Sequence, residues 1–507
     1  MIYAVDITAA IDAAGTLATL RYASKGFNTA RADALSDTHY SERLKQPASL
    51  RREMFSGGSS GASRSSYGEM ILVNTDGALD GLGNYGLDGR DCIIRVGNAG
   101  DPFPDAWPVV LQASMNQAMA DWHQVSIQLR DRFTSLDRPL LWRRYYGNNA
   151  LPAGIEGNAD DLKNKIKPRL YGEVTGISPP CVNTTKLVYQ VSDRAIYGVS
   201  AVYVRGASIT PGADFGTSAA LLAAALTPGT YGTCLAEGLF RLASSPDGTV
   251  TCDAQEGIPV MRTRGQILAR IAADMGITDI SAADLAALDA ASPARAGWWV
   301  SDDSTAASVM DSVAQPSVWY GFDRLGTLRF NRLAAPSGTP VVDLDGTNLI
   351  GNPQRVAPRT DTDRLPAWRV TLSCARNWTV QASDIAGAVT AARKAVIAQA
   401  AASAVAQDAN VRLQYTNAQD LNFDSCLARP FDAASEAALL LGIYKVLRET
   451  WQVTLRVDDV ATLTALDLGV VVLLTYPRFN FGSGKLMRVL AMDCNFADHK
   501  ITLTLWG

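Results

Sequence analysis

Two glycine-rich stretches have the spacing of motifs that carry chemistry. Residues 81–86, Gly-Leu-Gly-Asn-Tyr-Gly, match a dinucleotide-binding loop, and residues 57–61, Gly-Gly-Ser-Ser-Gly, match the nucleophile elbow of serine hydrolases. Both motifs work only where a strand precedes the loop and a helix follows it. A strand-like run, 87–96, follows the first motif, and the second lies in a Ser/Gly-rich stretch. We interpret both as turns and predict a flexible loop over 54–68.

Histidine, acidic and cysteine side chains do not form a recognisable metal site. His39, His123 and His499 are far apart in the sequence, and residues 343–348 lack the later ligands of a calcium loop. Seven cysteines are widely spaced without a CxxC pair: Cys92, Cys181, Cys234, Cys252, Cys374, Cys426 and Cys494. This pattern predicts free, mostly buried thiols made in a reducing compartment. An iron–sulfur cluster stays open as an alternative, because its ligands need only meet in space.

Aromatic and basic residues indicate surfaces rather than a reaction centre. The tryptophan pair 298–299, the pair 319–320 and the cluster 142–146 supply large amphipathic surface. Such residues usually belong to a core, and at strand ends they also fit subunit contacts. The net charge of −4 argues against a nucleic-acid binder. Residues 128–170 carry nine Lys/Arg against five acids, which we interpret as a solvated or intersubunit face.

The apolar pattern predicts a mainly β fold with α+β insertions in several domains. A chain of 507 residues is too long for one core, and about 100–200 residues per domain gives three or four domains. The predicted ranges are a β-rich domain at 1–170, a second β-rich domain at 171–262, a small α+β domain at 263–342, and a helix-containing β domain at 343–507.

Local patterns add definite predictions in the middle of the chain. Residues 239–254 predict a hairpin that turns at Pro-Asp-Gly, and residues 317–333 predict a second hairpin. Helical spacing over 263–315 predicts three helices, of which the last two begin at the capping residues Ser281 and Ser304.

Two alanine-rich stretches and the chain end give further predictions. The composition of residues 383–408 predicts a helix, and 432–451 predicts a second helix before the closing strands. Residues 499–507 alternate up to the last glycine, so Ile501, Leu503 and Leu505 are predicted to face a core. Since an end that is not tied into a sheet is normally frayed, this pattern predicts a structural C-terminal strand.

Five segments resemble the tail-tip, or baseplate, hub proteins of long-tailed bacteriophages and prophages. The first reads KPRLYGEVTGISPPCV. In order, the segments are residues 167–182, 188–215, 228–257, 303–333 and 468–507. The resemblance lies in the character and order of these segments over most of the chain. Because no single motif carries it, it implies no catalytic residues.

The resemblance implies both a fold and an assembly. Hub proteins of this kind are usually homotrimers whose β-barrel-like or sandwich domains form a pseudo-six-fold ring between the tail tube and the three-fold tip. Two tube-like domains are expected here, one within 1–170 and one in the C-terminal third, together with a small helical domain. The implied partners are the tail tube or distal tail protein, the tape measure protein, and other tip and fibre proteins. DNA would pass only transiently through the lumen.

Other functions remain as alternatives to the hub interpretation. A hexameric distal tail protein belongs to the same structural class, whereas a cell-wall-degrading or receptor-binding tail component would have a different activity. Without a paired-carboxylate, Cys/His or metal signature, we predict no enzyme activity, no cofactor and no catalytic residue. No signal peptide and no membrane span are expected, since no apolar run of about 20 residues occurs. The expected location is the virion tail tip, after synthesis in the host bacterial cytoplasm.

Overall fold

The computed structural model of the chain describes residues 1–55, 60–149, 154–257, 262–356 and 365–507. These residues fold mainly as β-strands, which confirms the predicted fold class. Within these ranges there are five sheets, of ten, nine, three, eight and three strands, and eight α-helices. Many strands alternate in burial, because a sheet buries one face in a core and leaves the other nearer to water.

Residues 1–130 supply thirteen strands, most of which form the ten-stranded sheet. They are β1 (Ile2–Ala10), β2 (Leu17–Ala23), β3 (Phe27–Asn28), β4 (His39–Glu42), β5 (Leu44–Gln46), β6 (Ser49–Glu53), β7 (Gly61–Ala62), β8 (Arg64–Tyr67), β9 (Glu69–Val73), β10 (Asp91–Gly97), β11 (Val109–Met115), β12 (Met119–Ala120) and β13 (Gln124–Arg130). The sheet order is β3–β4–β2–β1–β10–β11–β13–β9–β5, with β12 paired to β13. The first strand therefore lies inside the sheet, between β2 and β10.

A nine-stranded sheet occupies the next part of the chain. Its strands are β14 (Arg169–Ile177), β15 (Cys181–Asn183), β16 (Val188–Gln190), β17 (Gly198–Val204), β18 (Ala207–Asp214), β19 (Thr230–Cys234), β20 (Leu239–Leu242), β21 (Val250–Gln255) and β22 (Gly297–Val300). Helix α1 (Ser218–Ala223) lies between β18 and β19 in the chain. The order is β15–β16–β20–β19–β18–β17–β21–β14–β22.

Three helices and a hairpin form a compact group near this sheet. They are α2 (Arg264–Asp274), α3 (Ala282–Ala291), α4 (Ala306–Ala314), β23 (Val318–Phe322) and β24 (Leu328–Arg332). The pairing of β23 with β24 confirms the predicted second hairpin. Ser281 caps α3 as predicted, but α4 is capped by Thr305, whose hydroxyl accepts the N–H of Ser308. Ser304 lies one residue before this cap, and its hydroxyl donates to Asp302.

The remaining strands and helices complete two further sheets. They are β25 (Asp343–Leu344), β26 (Gln354–Arg355), β27 (Ala367–Cys374), α5 (Ala391–Ile397), β28 (Ala402–Gln407), α6 (Asn410–Gln414), β29 (Gln419–Phe423), α7 (Pro430–Tyr444), β30 (Thr450–Arg456), α8 (Val460–Ala465), β31 (Val471–Leu474), β32 (Lys485–Asn495) and β33 (Lys500–Trp506). The eight-stranded sheet runs β25–β31–β32–β33–β30–β26 and also takes in β6 and β8, while β28–β27–β29 form a separate sheet covered by α7.

The first and last strands of the chain share one hydrophobic core. Side chains from β1, β10, β30 and β33 belong to the same buried cluster, and the rings of Tyr3 and Phe496 lie 5.8 Å apart. Strand β6 also pairs with the second half of β32, so that Leu50 lies opposite Cys494. A second core surrounds α2, α4 and α7, and a third lies against the nine-stranded sheet. The four predicted domain ranges stay predictions.

The first predicted hairpin, over 239–254, is wrong in its pairing although both strands exist. Strand β20 pairs with β16 and β19, whereas β21 pairs with β17 and β14. The segment between them crosses to another position in the sheet. Asp247, in the expected turn, forms an ion pair of 3.0 Å with Arg205 at the β17–β18 turn. Because both edges of each strand are already used, the two strands have no free side on which to meet.

The long alanine-rich helix predicted over 383–408 is also wrong, except for its middle part. Only Ala391–Ile397 is helical, and Ala402–Gln407 forms β28. This strand pairs with β27 over six residues and packs under α7. The hydrogen bonds to β27 and the packing against α7 outweigh the helix propensity of alanine. Its advantage over other residue types in a helix is only about 0.5 kcal/mol per residue.

Part of the stretch predicted as a flexible loop, 54–68, is regular structure. Strand β7 pairs in parallel with β23, and β8 pairs with β6. Their main-chain groups complete sheet ladders despite the Ser/Gly composition. Residues 56–59 lie outside the described residues.

Candidate assembly surface

The C-terminal strand is structural, as its alternation predicts. Ile501, Leu503 and Leu505 are buried, and β33 pairs with β30 on one side and β32 on the other. Even the last residue is fixed, because Gly507 and Glu449 exchange two main-chain hydrogen bonds of 3.0 and 3.1 Å. A strand with neighbours on both sides presents no open edge to solvent.

A β-turn at the tip of the β12–β13 hairpin holds two apolar side chains in water. The Asp121 carboxylate accepts the N–H groups of His123 and Gln124, each at 2.8 Å. These hydrogen bonds lower the pKa of Asp121 and fix the turn. The exposed fractions of Met119 and Trp122 are 70% and 87%. We call residues 119–122 the hairpin tip.

The aromatic cluster 142–146 splits between core and surface. Tyr145 is buried and its hydroxyl donates to the Gln190 side chain at 2.6 Å. Trp142 and Tyr146 are instead 75% and 71% exposed, and the Arg143 guanidinium lies 5.5 Å from the Trp142 ring. Exposed Trp, Tyr and Arg are the residue types that dominate binding energy at protein interfaces. This short segment is therefore a second candidate contact.

Helix α7 presents a third apolar surface. Its inner face packs on β27 and β28, while the outer face exposes Phe431, Ala434, Ser435, Ala438 and Leu439, none of which is charged. Phe431 is 83% exposed. Exposed apolar patches on soluble proteins often mark contacts with other proteins. This face of α7 is therefore a third candidate contact.

The first glycine-rich motif, residues 81–86, does not have the geometry of a dinucleotide site. Gly81 and Gly83 lie in a 3-10 turn, Asp80–Asn84, and Gly86 bridges to Ala10. Strand β10 follows, as the sequence predicted, where a dinucleotide site needs a helix N-terminus. Residues 57–59 of the second motif lie outside the described residues.

The histidines do not meet. His39 lies beside Asn28, with 2.7 Å between His39 Nδ1 and Asn28 Oδ1, and His123 directly follows the hairpin tip, where its N–H donates to Asp121. His499 stacks on Tyr3 with ring centroids 5.7 Å apart.

The calcium-loop candidate, residues 343–348, forms an ordinary turn in which Asp345 accepts the Thr347 N–H at 2.8 Å. No group of three metal-binding side chains occurs among the described residues.

All seven cysteines are free thiols, and six of them are buried, as predicted. Burial raises the pKa of each thiol, for example to about 11 in Cys426 and about 12 in Cys494. A buried thiol with a raised pKa holds its proton and is a poor nucleophile.

Sequence reasoning missed one cleft lined by carboxylates. It has a volume of about 700 Å³, and Asp131, Asp137 and Asp311 line it. Burial raises the pKa of Asp131 and Asp311. Both carboxylates are engaged in the fold, since Asp131 accepts the Phe133 N–H and Asp311 accepts the Tyr320 hydroxyl at 2.9 Å. Asp311 is far in sequence from Asp131 and Asp137, so no local spacing could have indicated the cleft.

The described helices include none that is long and apolar enough to cross a membrane. No family model and no curated protein sequence matches the chain.

Several solved structures are similar to the chain. The 43 kDa tail protein of prophage MuSo2 from Shewanella oneidensis has 10% identity and a TM-score of 0.39, with 100% of this chain and 98% of that chain covered. A chain of the native gene transfer agent virion has 14% identity and a TM-score of 0.41, with 68% and 85% covered. The tail protein of Neisseria meningitidis has 9% identity and a TM-score of 0.37, with 100% and 96% covered. At TM-scores below 0.5 these similarities carry no argument about function.

Proposed function

We propose that this chain is a structural subunit of a bacteriophage tail, and that it forms a trimeric hub at the tail tip. The observation that carries the proposal is the joining of two large β layers within one subunit. The ten-stranded and eight-stranded sheets share a core, and β6 continues the second sheet from the first part of the chain. Three such subunits would supply six β units around a tube axis.

The pairing of two strands supports a place in a ring. Strands β1 and β33 each have a neighbour on both sides within their sheets, so neither presents a free edge. The net charge of −4 gives the chain little general attraction for phosphate, which suits a lumen through which DNA passes. The segments that resemble hub proteins include residues 468–507, which contain β33.

The exposed apolar surfaces supply the contacts that such an assembly needs. The hairpin tip, the segment 142–146 and the outer face of α7 are candidates for contacts with other copies, the tail tube or distal tail protein, the tape measure protein, and tip or fibre proteins. Each has at least one large exposed apolar or aromatic side chain that a partner protein could bury.

The copy number in purified particles tests the proposal. A small tag inserted at the exposed residues 337–339 would be located by averaging electron images of tail tips. This site is preferable to the N-terminus, because β1 begins at the second residue inside a sheet. Three tags around the tube axis are expected. Six would favour a hexameric distal tail ring, and no tag on particles would contradict a virion role.

A surface variant tests the contact itself. We expect Trp122→Ala to reduce incorporation into particles while the isolated subunit unfolds as the parent does, because this side chain is almost fully exposed. Tyr197→Ala is the matched control, an exposed aromatic outside the three candidate surfaces. Equal incorporation of both variants would remove the hairpin tip from the interface. Cell-wall zymography of the subunit should give no clearing, and clearing would favour the hydrolase alternative.

A further inference from the structure

A cavity of about 460 Å³ opens at the end of β27. Its wall combines one aromatic ring, one cation, one carboxylate and several hydroxyl groups. The residues used below are Trp298, Ser312, Ser373, Arg376, Asp424 and Ser425. They come from four separate parts of the chain, and the cavity belongs to none of the surfaces proposed for assembly.

The main chain around Arg376 is held in an unusual conformation. Ala375 has a φ of 47°, in the left-handed region that a non-glycine residue rarely adopts. Its N–H donates to the carbonyl of Leu427 at 2.7 Å. On the other side, Asn377 donates its N–H to the carbonyl of Ala400 at 2.8 Å. These bonds hold the main chain on both sides of Arg376, just beyond the end of β27.

Two tryptophan rings then fix the guanidinium group. The Arg376 guanidinium carbon lies 5.0 Å from the ring centroid of Trp298 and 4.2 Å from that of Trp378. The two rings meet edge to face, with 5.1 Å between centroids and an interplanar angle of 81°. Cation–π contacts hold a guanidinium without using its N–H groups. No acidic side chain of the described ranges forms an ion pair with Arg376, so its N–H groups remain for a ligand.

The rest of the wall is suited to hydroxyl groups. The Ser373 hydroxyl donates to Asp424 at 2.8 Å, and the Ser425 hydroxyl donates to the Ser373 carbonyl at 2.5 Å. Asp424 can accept further hydrogen bonds, because a carboxylate has about four acceptor sites. Its negative charge in the same cavity disfavours a phosphate dianion. A ligand with one carboxylate and several hydroxyls has the matching chemistry.

We propose that this cavity binds an acidic saccharide, with the ligand carboxylate on Arg376, its hydroxyl groups on Asp424 and the serines, and its apolar ring face near Trp298. Arg376 can hold the carboxylate through two parallel N–H donors, which is the strongest geometry for this pair. The saccharide is either a free uronic-acid-type sugar or such a residue within a surface glycan. Binding depends on one subunit and does not require the assembly proposed above.

The experiment measures binding of sugars to the full-length chain by titration calorimetry. The probes are galacturonic acid, its linear trimer, the methyl-esterified trimer and inorganic phosphate. The trimer is expected to bind at least about tenfold more tightly than its methyl ester, because the ester removes the charge that Arg376 recognises. Similar affinity for monomer and trimer would indicate a free sugar, and preference for the trimer would indicate a glycan.

Variants assign the binding to this cavity. Arg376→Gln should weaken trimer binding at least about tenfold. Asp424→Asn should weaken the binding of the trimer and of its methyl ester to the same degree. Arg412→Gln is the matched control, since the Arg412 guanidinium also stacks on a tryptophan, 3.8 Å from the Trp368 centroid, but does not line the cavity. The urea unfolding midpoint of each variant shows whether it is folded.

Four results would overturn the proposal. They are no binding of either acidic sugar, equal binding of the ester and the acid, equal binding of phosphate, and equal weakening by Arg412→Gln. If Arg376→Gln is unfolded, Arg376→Lys replaces it. Lysine keeps the charge but not the paired donors, so the same loss of preference for the acid is expected to a smaller degree.

Discussion

Two buried joints hold distant segments of this chain together by different means. Where the first and last strands meet, the shared core is apolar, with residues such as Val5, Val453 and Leu503 inside it. Where α2, β24 and α7 meet, Glu436 lies between Arg264 and Arg332 at 2.9 and 3.0 Å. All three of these charged side chains are buried. Distant segments are thus held together by buried apolar surface in the first joint and by oriented ion pairs in the second.

The difference has a physical consequence. Apolar burial depends on the area removed from water and tolerates other side chains of similar volume. A buried ion pair contributes little net stability but penalises any arrangement that leaves one charge unpaired. The apolar joint therefore accounts for stability. The ionic joint accounts for the fixed position of α7 against the two arginines.

The largest effect is expected from Glu436→Gln. The change keeps the size of the side chain but leaves two buried arginines without their shared counter-ion. The free energy of unfolding should fall by about 3–5 kcal/mol, measured as the urea midpoint followed by tryptophan fluorescence. Asp458→Asn is the control, because its pair with Arg456 is exposed and should change the stability by less than about 0.5 kcal/mol. Equal effects would refute the ionic joint.

The same site has a pH dependence of defined sign. Burial opposes ionisation of Glu436, but Arg264 and Arg332 outweigh it and lower its pKa below the usual value of 4.5. The stabilisation is therefore complete above about pH 4.5 and is lost as the pH falls through the lowered pKa. The difference between the parent and Glu436→Gln should shrink on acidification. A constant difference from pH 7 to pH 3 would contradict this.

The apolar joint is tested by Leu503→Ala in β33. This side chain is fully buried, so its removal leaves a cavity among strands from both ends of the chain. A loss of about 2–5 kcal/mol is expected, with no dependence on pH between 4 and 7. Thr504→Ala, the half-buried neighbour on the opposite face, should cost less than about 1 kcal/mol. Hydrogen exchange of β1 and β33 together would identify the shared core.

A smaller loss in the free energy of unfolding is expected from Asp467→Asn, which weakens one polar contact at the edge of the apolar joint. Arg52 is buried, pairs with Asp467, and also donates to the Phe322 carbonyl at 3.0 Å. Because the carbonyl remains, and Asp467 is partly exposed, the cost should be about 1–3 kcal/mol. A loss as large as that of Glu436→Gln would mean that both joints depend on ion pairs.

The smallest effect concerns His499, beside Tyr3 at the margin of the apolar joint. Burial and the nearby N-terminal ammonium lower its pKa below the usual 6.5. Since the folded chain favours the neutral ring, the parent should lose a little stability as the pH falls through 6.5. His499→Asn keeps a residue type that tolerates the φ of 52° and should remove this dependence. Urea midpoints at pH 5 and 8 provide the measurement.

The sequence predicted those elements whose pattern is local. The alternation in residues 499–507 predicts β33 because burial of one sheet face repeats every two residues, and Ser281 predicts the start of α3 because its hydroxyl caps the next turn. It did not predict β28, where alanine favours a helix and pairing with β27 decides otherwise. Nor did it predict the partners of β20 and β21, since sheet order depends on edges that the rest of the chain has already filled.

The same distinction between local pattern and tertiary contact applies to the whole molecule. The sequence by itself determined the mainly β fold, the buried free thiols and the structural end of the chain, since periodicity and composition fix which groups must leave water. Only the tertiary structure decided which segments meet: β6 on β32, Glu436 between two arginines, and Arg376 between Trp298 and Trp378. These contacts join residues that are far apart in the chain, and their energy depends on distances and angles that exist only after the strands and helices have packed.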